Sequence, residues 1–279
     1  MFKDRFFWTV LCLITSMTIH AQVRYDLQFK YLPGTVYRYN SVETFTSQQD
    51  FNGQDMTING GSDSRINMEV VTVGPDSSLV VMVGYDAMRT FVKSAMMDTV
   101  IELKELIGKR TKLTMNRYGV EIGRVTPDSS EFSGRLGMLN KSTQDAGFFK
   151  LPRHGIGVGE KWAAKVSDSA GFGEGYITNS GTIEYTLIGP DLKNARNCLK
   201  IGFISKSDVN GKISQMGMDF FAEGTNESSG TIWFDSDAGV VVLQEITSTQ
   251  ELTIAASDPV PIAIPMTQII RSNFSLLEK

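Results

Sequence analysis

The 279-residue chain sets 27 lysines and arginines against 31 aspartates and glutamates, a net charge of −4 with no basic block. That balance excludes a nucleic-acid or anionic-lipid surface built on cationic clusters. Of two cysteines and two histidines in the whole chain, only Cys198 and His154 lie beyond residue 21, too few for a Cys/His zinc site.

Residues 1–21 read as a secretory signal peptide. Lys3 and Arg5 precede an apolar run from Phe6 to Ile14, and Ala21 supplies the small residue before a cut. The run is shorter than the roughly 20 residues that span a bilayer, and no later segment is apolar enough to do so. Removal of the signal takes away Lys3, Arg5 and Asp4 and leaves 25 basic against 30 acidic side chains. It also leaves a single cysteine, Cys198, and a single histidine, His154. An exported chain of this kind has no internal disulfide, so its core must hold it together. A Ser-His-Asp or Cys-His arrangement would have to use His154. Cys198 reads as a small packed hydrophobe.

The chain that follows alternates at period two. Val36–Phe45 puts Tyr37, Tyr39 and Phe45 on one face, and a loop containing Gly60-Gly61 is expected next. Ile66, Met68 and Val70 alternate with Asn67 and Glu69, then Gly74-Pro75-Asp76 leads to the apolar run Leu79–Val83. This hairpin has a second copy at Thr182–Phe203, with Glu184 and Gly189-Pro190-Asp191 at the same spacing. Gly-Pro-Asp is a turn signal, since Pro presets φ and Asp can bond its own backbone. Val100, Leu103, Leu106 and Ile107 recur at helical spacing behind Asp98, which predicts one amphipathic helix near 98–109. Lys112–Val125 is a hairpin turning near Tyr118-Gly119. Residues 126–150 connect to a second half, 151–279, against a first half, 22–125. There Gly159-Glu-Lys-Trp162 matches Gly34-Thr-Val-Tyr37, and Thr231–Ile246 turns at Asp237-Ala-Gly239. Asp258–Pro265 reads as a loop, and Thr267–Leu277 as the last strand. The expectation is an all-β antiparallel protein, a curved sheet, half-barrel or sandwich from two repeated halves.

The glycine runs 155–159 and 171–175 lead into strands and lack the helix that a phosphate loop needs, so they are turns. His154 beside Arg153 is a packed or solvated loop residue, or an anion contact. Glu69 and Glu184 are the pair a carboxylate-based hydrolase would use, but each also fits the solvent face of a half-buried strand. The aromatic supply exceeds what one face of a flat sheet can hide. Tyr37, Tyr39, Trp162, Tyr185, Phe203 and Trp233 are therefore the candidate residues for binding an apolar ligand inside a curled sheet. A filled core is the alternative.

At Leu151-Pro152…Gly159-Glu-Lys-Trp162 and the Thr231-Ile-Trp-Phe-Asp…Ala-Gly239 hairpin, the chain resembles exported all-β proteins of Bacteroidetes-type bacteria, families of unknown function. The strand count and single helix carry a more distant likeness to the half-barrels of lipoprotein carriers. The first resemblance implies a location in the periplasm or at the cell surface of a Gram-negative bacterium and no particular chemistry. The function expected is non-enzymatic binding of an apolar molecule or lipid, with an envelope partner and without cofactor, metal or nucleic acid. The competing expectation is a structural component with a filled core.

Overall fold

The computed structural model describes residues 23–51, 53–95, 97–125, 147–172, 175–215, 218–256 and 262–277. The signal peptide, most of the connector and the tip at 173–174 lie outside the described residues. Two short strands, β1 (Arg24–Tyr25) and β8 (Ile156–Gly157), pair with each other. All others join one antiparallel sheet. They are β2 (Val36–Phe51), β3 (Gln54–Val73), β4 (Leu79–Lys93), β5 (Asp98–Glu102), β6 (Arg110–Met115) and β7 (Glu121–Val125). In the second half come β9 (Lys161–Phe172), β10 (Gly175–Lys193), β11 (Arg196–Gln215), β12 (Met218–Asp235), β13 (Val240–Ala256) and β14 (Ile262–Leu276). Their order is β7-β6-β4-β3-β2-β14-β13-β12-β11-β10-β9, with β5 beside β4. The last strand joins the halves by pairing with β13 on one side and β2 on the other, Ile270 facing Ser248 and Phe45. The sheet has free edges at β9 and at β7 and β5, and is not a closed barrel.

The strands are unusually long. β3 and β11 run 20 residues each, about 66 Å at ~3.3 Å per residue. Only the end nearer the β3–β4 and β10–β11 turns, here the base, is filled. Two lead-in segments supply the filling. Residues 27–31 bury Leu27, Phe29 and Tyr31, and residues 148–151 bury Phe149 and Leu151. They pack on the face carrying Ile66, Met68, Val70, Val81, Leu187, Ile201, Ile232 and Phe234. The Phe29 ring meets Phe148, Phe149 and Phe234 edge-on at 5.2, 5.8 and 5.6 Å. Backbone bonds fix the lead-ins. Phe29 N–H donates to the Arg117 carbonyl at 2.8 Å, Lys30 N–H to that of Gly239 at 3.1 Å, and Leu151 N–H to that of Tyr118 at 2.9 Å.

Several sequence expectations change here. The helix near 98–109 does not form. Asp98–Glu102 is strand β5 and only Lys104–Leu106 makes a single 3-10 turn. The β-branched run Thr99-Val100-Ile101 prefers the extended state. Of the helix-spaced residues Leu103 and Leu106 are buried, against Met88 and Tyr85, while Val100 is exposed. Gly60 and Gly61 are not a loop but lie in mid-strand β3, each covered by a ring on one face. A Cβ would fall 2.5 Å from the Phe45 ring at Gly60 and 2.9 Å from the Phe91 ring at Gly61. Gly74-Pro75-Asp76 is a turn, as expected, with Asp76 Oδ1 accepting from Ser78 N–H at 3.1 Å. Gly189-Pro190-Asp191 instead continues β10 past a bulge at Ile188. The chain reverses at Asn194-Ala195, both at positive φ, 49° and 56°, the twist that two-residue hairpins favour. Pro265 sits inside β14, paired with Thr253 of β13 but one residue beyond the β14–β2 ladder, which ends at Met266 and Gln49.

Beyond the base the sheet curls. A flat sheet exposes both faces alike, yet Ser47 and Ser207 on the base-core face are 2% and 3% exposed while their neighbours Gln48 and Lys206 face solvent. Glycines on the same face permit the bend. A Cβ at Gly224 or Gly230 would lie 1.9 or 2.2 Å from a carbonyl oxygen of β13, an approach open only to glycine.

Truncating the lead-in should expose how much the base depends on it. Phe29→Ala is expected to lower unfolding free energy by about 3–5 kcal/mol. Phe221→Ala, on the outer face and 48% exposed, should stay within about 0.5 kcal/mol of the parent. Urea titrations followed by tryptophan fluorescence measure both.

Candidate ligand-binding face

The six aromatic candidates do not form one surface. Tyr39 is fully buried, stacked on Phe274 at 4.4 Å, its hydroxyl 3.2 Å from that of Tyr31. Burial raises both phenols, the neighbouring ring hydroxyls adding to the effect at Tyr31. Tyr37 packs edge-on against Tyr31 at 4.8 Å, and its hydroxyl accepts from Leu32 N–H. Trp162 stacks on Tyr185 at 5.0 Å and donates to the Lys150 carbonyl at 2.8 Å. Tyr185 in turn meets Phe149 and Phe203. These five line or complete the filled base.

Trp233 lies on the opposite face, where ordinary strand alternation places it between the inward Ile232 and Phe234. It packs with Cys198, Val242 and Leu243 under Lys193 and Lys200, whose ammonium groups sit 4.3 and 5.4 Å from the ring centroid. Its indole N–H donates to Asp191 at 2.8 Å and holds that carboxyl below the usual range. Burial, aided by the Asp235 carboxylate, pushes the Cys198 thiol up to about 11.

Glu69 and Glu184 also stay apart. Both point outward, Glu69 paired with Arg110 and Glu184 with Lys161 at 2.8 Å. Six strand spacings separate them in the sheet, roughly 29 Å at ~4.8 Å each. A hydrolytic carboxylate pair stands about 5–10 Å apart, so this pair is not one. His154 is exposed in the loop ahead of β8. Among the described residues no three His, Cys, Asp or Glu side chains converge on a metal site.

The stretch that sequence reading did not single out is the inner face beyond the base. One row crosses five strands by register, Ser47 (β2), Gln268 (β14), Gln250 (β13), Asn226 (β12) and Ser207 (β11). On its base side, buried Glu43 accepts from Ser272 at 3.2 Å and faces Ser62 across the ladder. On its outer side the face turns apolar, with Met266, Leu252 and Val209 in the next row and Ile264, Ile254 and Ala222 beyond. Leu252, Ile254, Ile264 and Met266 are half-buried. A cavity of about 420 Å³ lies on the opposite, outer side of these strands, lined chiefly by the outward positions Gln48, Asp50, Glu223, Glu251, Thr253 and Thr267. The outer face carries Thr225, Glu227, Thr247, Thr249, Lys206 and Asp208, with exposed Val42, Ile204, Phe221 and Ile269 among them. No helix among the described residues is long and apolar enough to cross a membrane.

No family model matches the chain, and no curated protein does. The chain is similar in fold to lipovitellin, in a solved structure titled for its lipid–protein interactions, at 10% identity and a TM-score of 0.50 over 89% of this chain. It spans 25% of the lipovitellin chain. Weaker similarity is found to the Pseudomonas aeruginosa protein OpdQ, 8% identical with a TM-score of 0.28 over 87% of this chain and 99% of that one. An outer membrane channel of Pseudomonas putida F1 scores 0.27 at 11% identity, over 89% and 98%.

The raised thiol makes Cys198 unreactive at neutral pH, because its neutral form persists until the pH approaches the shifted value. Ellman's reagent at pH near 8 should therefore label it at least about a hundredfold more slowly in the native protein than in urea, following thiolate fraction and access. Equal rates would mean that the outer-face cluster is open.

Proposed function

We propose that this protein is a non-enzymatic, exported envelope protein that holds an apolar molecule or lipid against the inner face of its curled sheet, beyond the filled base. The observation that carries this reading is the half-buried apolar band of Leu252, Ile254, Ile264 and Met266 on the concave face. Concave apolar surface with a few convergent polar groups is what small-molecule sites present. The fold likeness to lipovitellin supports it, as a structure titled for lipid–protein interactions. Location outside the cytoplasm rests on the N-terminal signal in the sequence.

The same reading takes the halves as copies of one module. Gly34 and Gly159 both have positive φ, 72° and 84°. Each donates its N–H to a buried strand residue, Val70 at 2.8 Å and Leu187 at 2.7 Å. Asn116 and Asp235 close equivalent turns by accepting two backbone N–H bonds each. The structural alternative is favoured by the density of the base alone, where the lead-ins fill what would be the deepest part of a pocket.

The experiment is binding of a solvatochromic apolar dye, with native mass spectrometry for co-purifying lipid. Leu252→Glu places a charge in the apolar band and should weaken dye binding at least about tenfold. Glu69→Gln, on the outer face, should leave it unchanged. Absence of both dye binding and lipid in the parent protein would decide for the structural alternative.

A further inference from the structure

Two edges of the sheet are open to a further strand. Among the described residues β5 pairs only with β4, and β9 only with β10. Along an antiparallel strand alternate residues turn their N–H and C=O groups away from the neighbour. Leu103 N–H donates to the Met88 carbonyl at 2.9 Å, and Ser94 N–H to that of Met97 at 2.7 Å. By alternation the groups of Asp98, Val100 and Glu102 point off the edge of β5. Leu187 N–H donates to the Glu160 carbonyl at 3.0 Å, so those of Lys161, Ala163 and Lys165 point off the edge of β9. The Lys165 carbonyl shows the demand such a group makes, since the Lys150 ammonium donates to it at 2.5 Å.

The side chains on these edge-facing residues are opposite in sign. β5 carries Asp98 and Glu102 on either side of Val100, and β9 carries Lys161 and Lys165 on either side of Ala163. All six stand on the outer face. Val100 and Ile101 are 65% and 52% exposed, and apolar side chains on an uncovered edge recruit another strand. Asp98 and Glu102 meet Lys93 and Lys104 at 3.4 and 3.5 Å, and Lys161 meets Glu184 at 2.8 Å. Exposed pairs of this kind exchange partners at little cost.

Charge then selects which edge meets which. Two β5 edges laid antiparallel about Val100 put Asp98 opposite Glu102, and two β9 edges about Ala163 put Lys161 opposite Lys165. Both arrangements oppose like charges. β5 against β9 puts Asp98 opposite Lys165, Val100 opposite Ala163 and Glu102 opposite Lys161. In that register the groups pointing off one edge meet those pointing off the other. Thr99 and Ile101 then lie opposite Ala164 and Trp162 on the inner face, and the outer faces are continuous. Followed through the ladders, the row of Asp98 is also that of Lys165, and the row of Glu102 that of Lys161. Copies joined this way continue one another's sheet row for row.

We infer that β5 of one copy of this protein adds to β9 of a second copy, the carboxylates of one edge facing the ammonium groups of the other. Strand addition supplies the affinity and the charges supply the register. Five residues on each side make a small contact, so the association is weak.

Sedimentation velocity on the full mature chain, from about 10 µM to about 1 mM at low salt, should show association that weakens as salt rises. Asp98→Lys with Glu102→Lys makes both edges basic, and Lys161→Glu with Lys165→Glu makes both acidic. Each double variant alone should associate at least about tenfold more weakly than the parent. Mixed together, the two should regain the parent's association. The chain with all four replacements, its signs exchanged, should regain it by itself, which separates lost pairing from lost structure. A parent still monomeric at about 1 mM overturns the inference. So does association undiminished in either double variant, or a loss that neither the mixture nor the fourfold variant restores.

Discussion

The ladder between β14 and β2 is the constraint on which the molecule depends. Leu276 pairs with Tyr39 and Met266 with Gln49, so the end of the chain is bonded along most of its length to the first long strand. Every other ladder among the long strands links neighbours in sequence, and such hairpins form locally. Among the long strands only β14–β2 joins the halves, and it closes a loop of more than two hundred residues for which chain entropy must be offset. The rings at its base end show where the offset comes from. Tyr39 stacks on Phe274, and Tyr31, held by the lead-in, shares a hydrogen bond with Tyr39. This ladder also brings Ser47 into register with Gln268 and so extends the inner row Gln268–Gln250–Asn226 into the first half.

Much of the sheet was legible because a strand with one wet face writes its period into the sequence. Ile66, Met68 and Val70 are buried as their alternation requires, and the turns at Tyr118-Gly119 and Asp237–Gly239 fall where glycine at positive φ permits them. The failures have physical causes of their own. Leu103 and Leu106 are three apart and buried, which satisfies a helix and a single 3-10 turn equally. Gly60-Gly61 reads as a loop until the rings of Phe45 and Phe91, supplied by neighbouring strands, are placed over it. Gly-Pro-Asp turns the chain at Gly74 but not at Gly189, where Asp191 is drawn on to the indole of Trp233.

The candidate site was harder to read, since aromatic residues mark apolar surroundings without saying what fills them. Phe29, Tyr31 and Phe149 come from lead-in segments outside the long strands and take the space against Tyr39, Tyr185 and Phe234. Trp233, between the inward Ile232 and Phe234, falls on the other face by ordinary strand alternation and packs under lysines instead. The inner row has the opposite difficulty. Serines, glutamines and an asparagine on separate strands look like solvent-facing positions until the pairing lines them up on the concave side.

Filling the base and leaving the remainder open are two parts of one arrangement. A sheet of this length could not hold its curl on ladders alone, since a long antiparallel sheet relaxes toward its ordinary twist. The lead-ins clamp both halves at one end, with Phe29 bonded to the first half through Arg117 and Lys30 to the second through Gly239. At the other end Gly224 and Gly230 let β12 and β13 approach closely enough for the bend to continue. The concavity is therefore set by the rigid end and kept by glycine where side chains would resist it. Stability and the exposed apolar band consequently reside in different parts of the same strands, so that one can change without undoing the other.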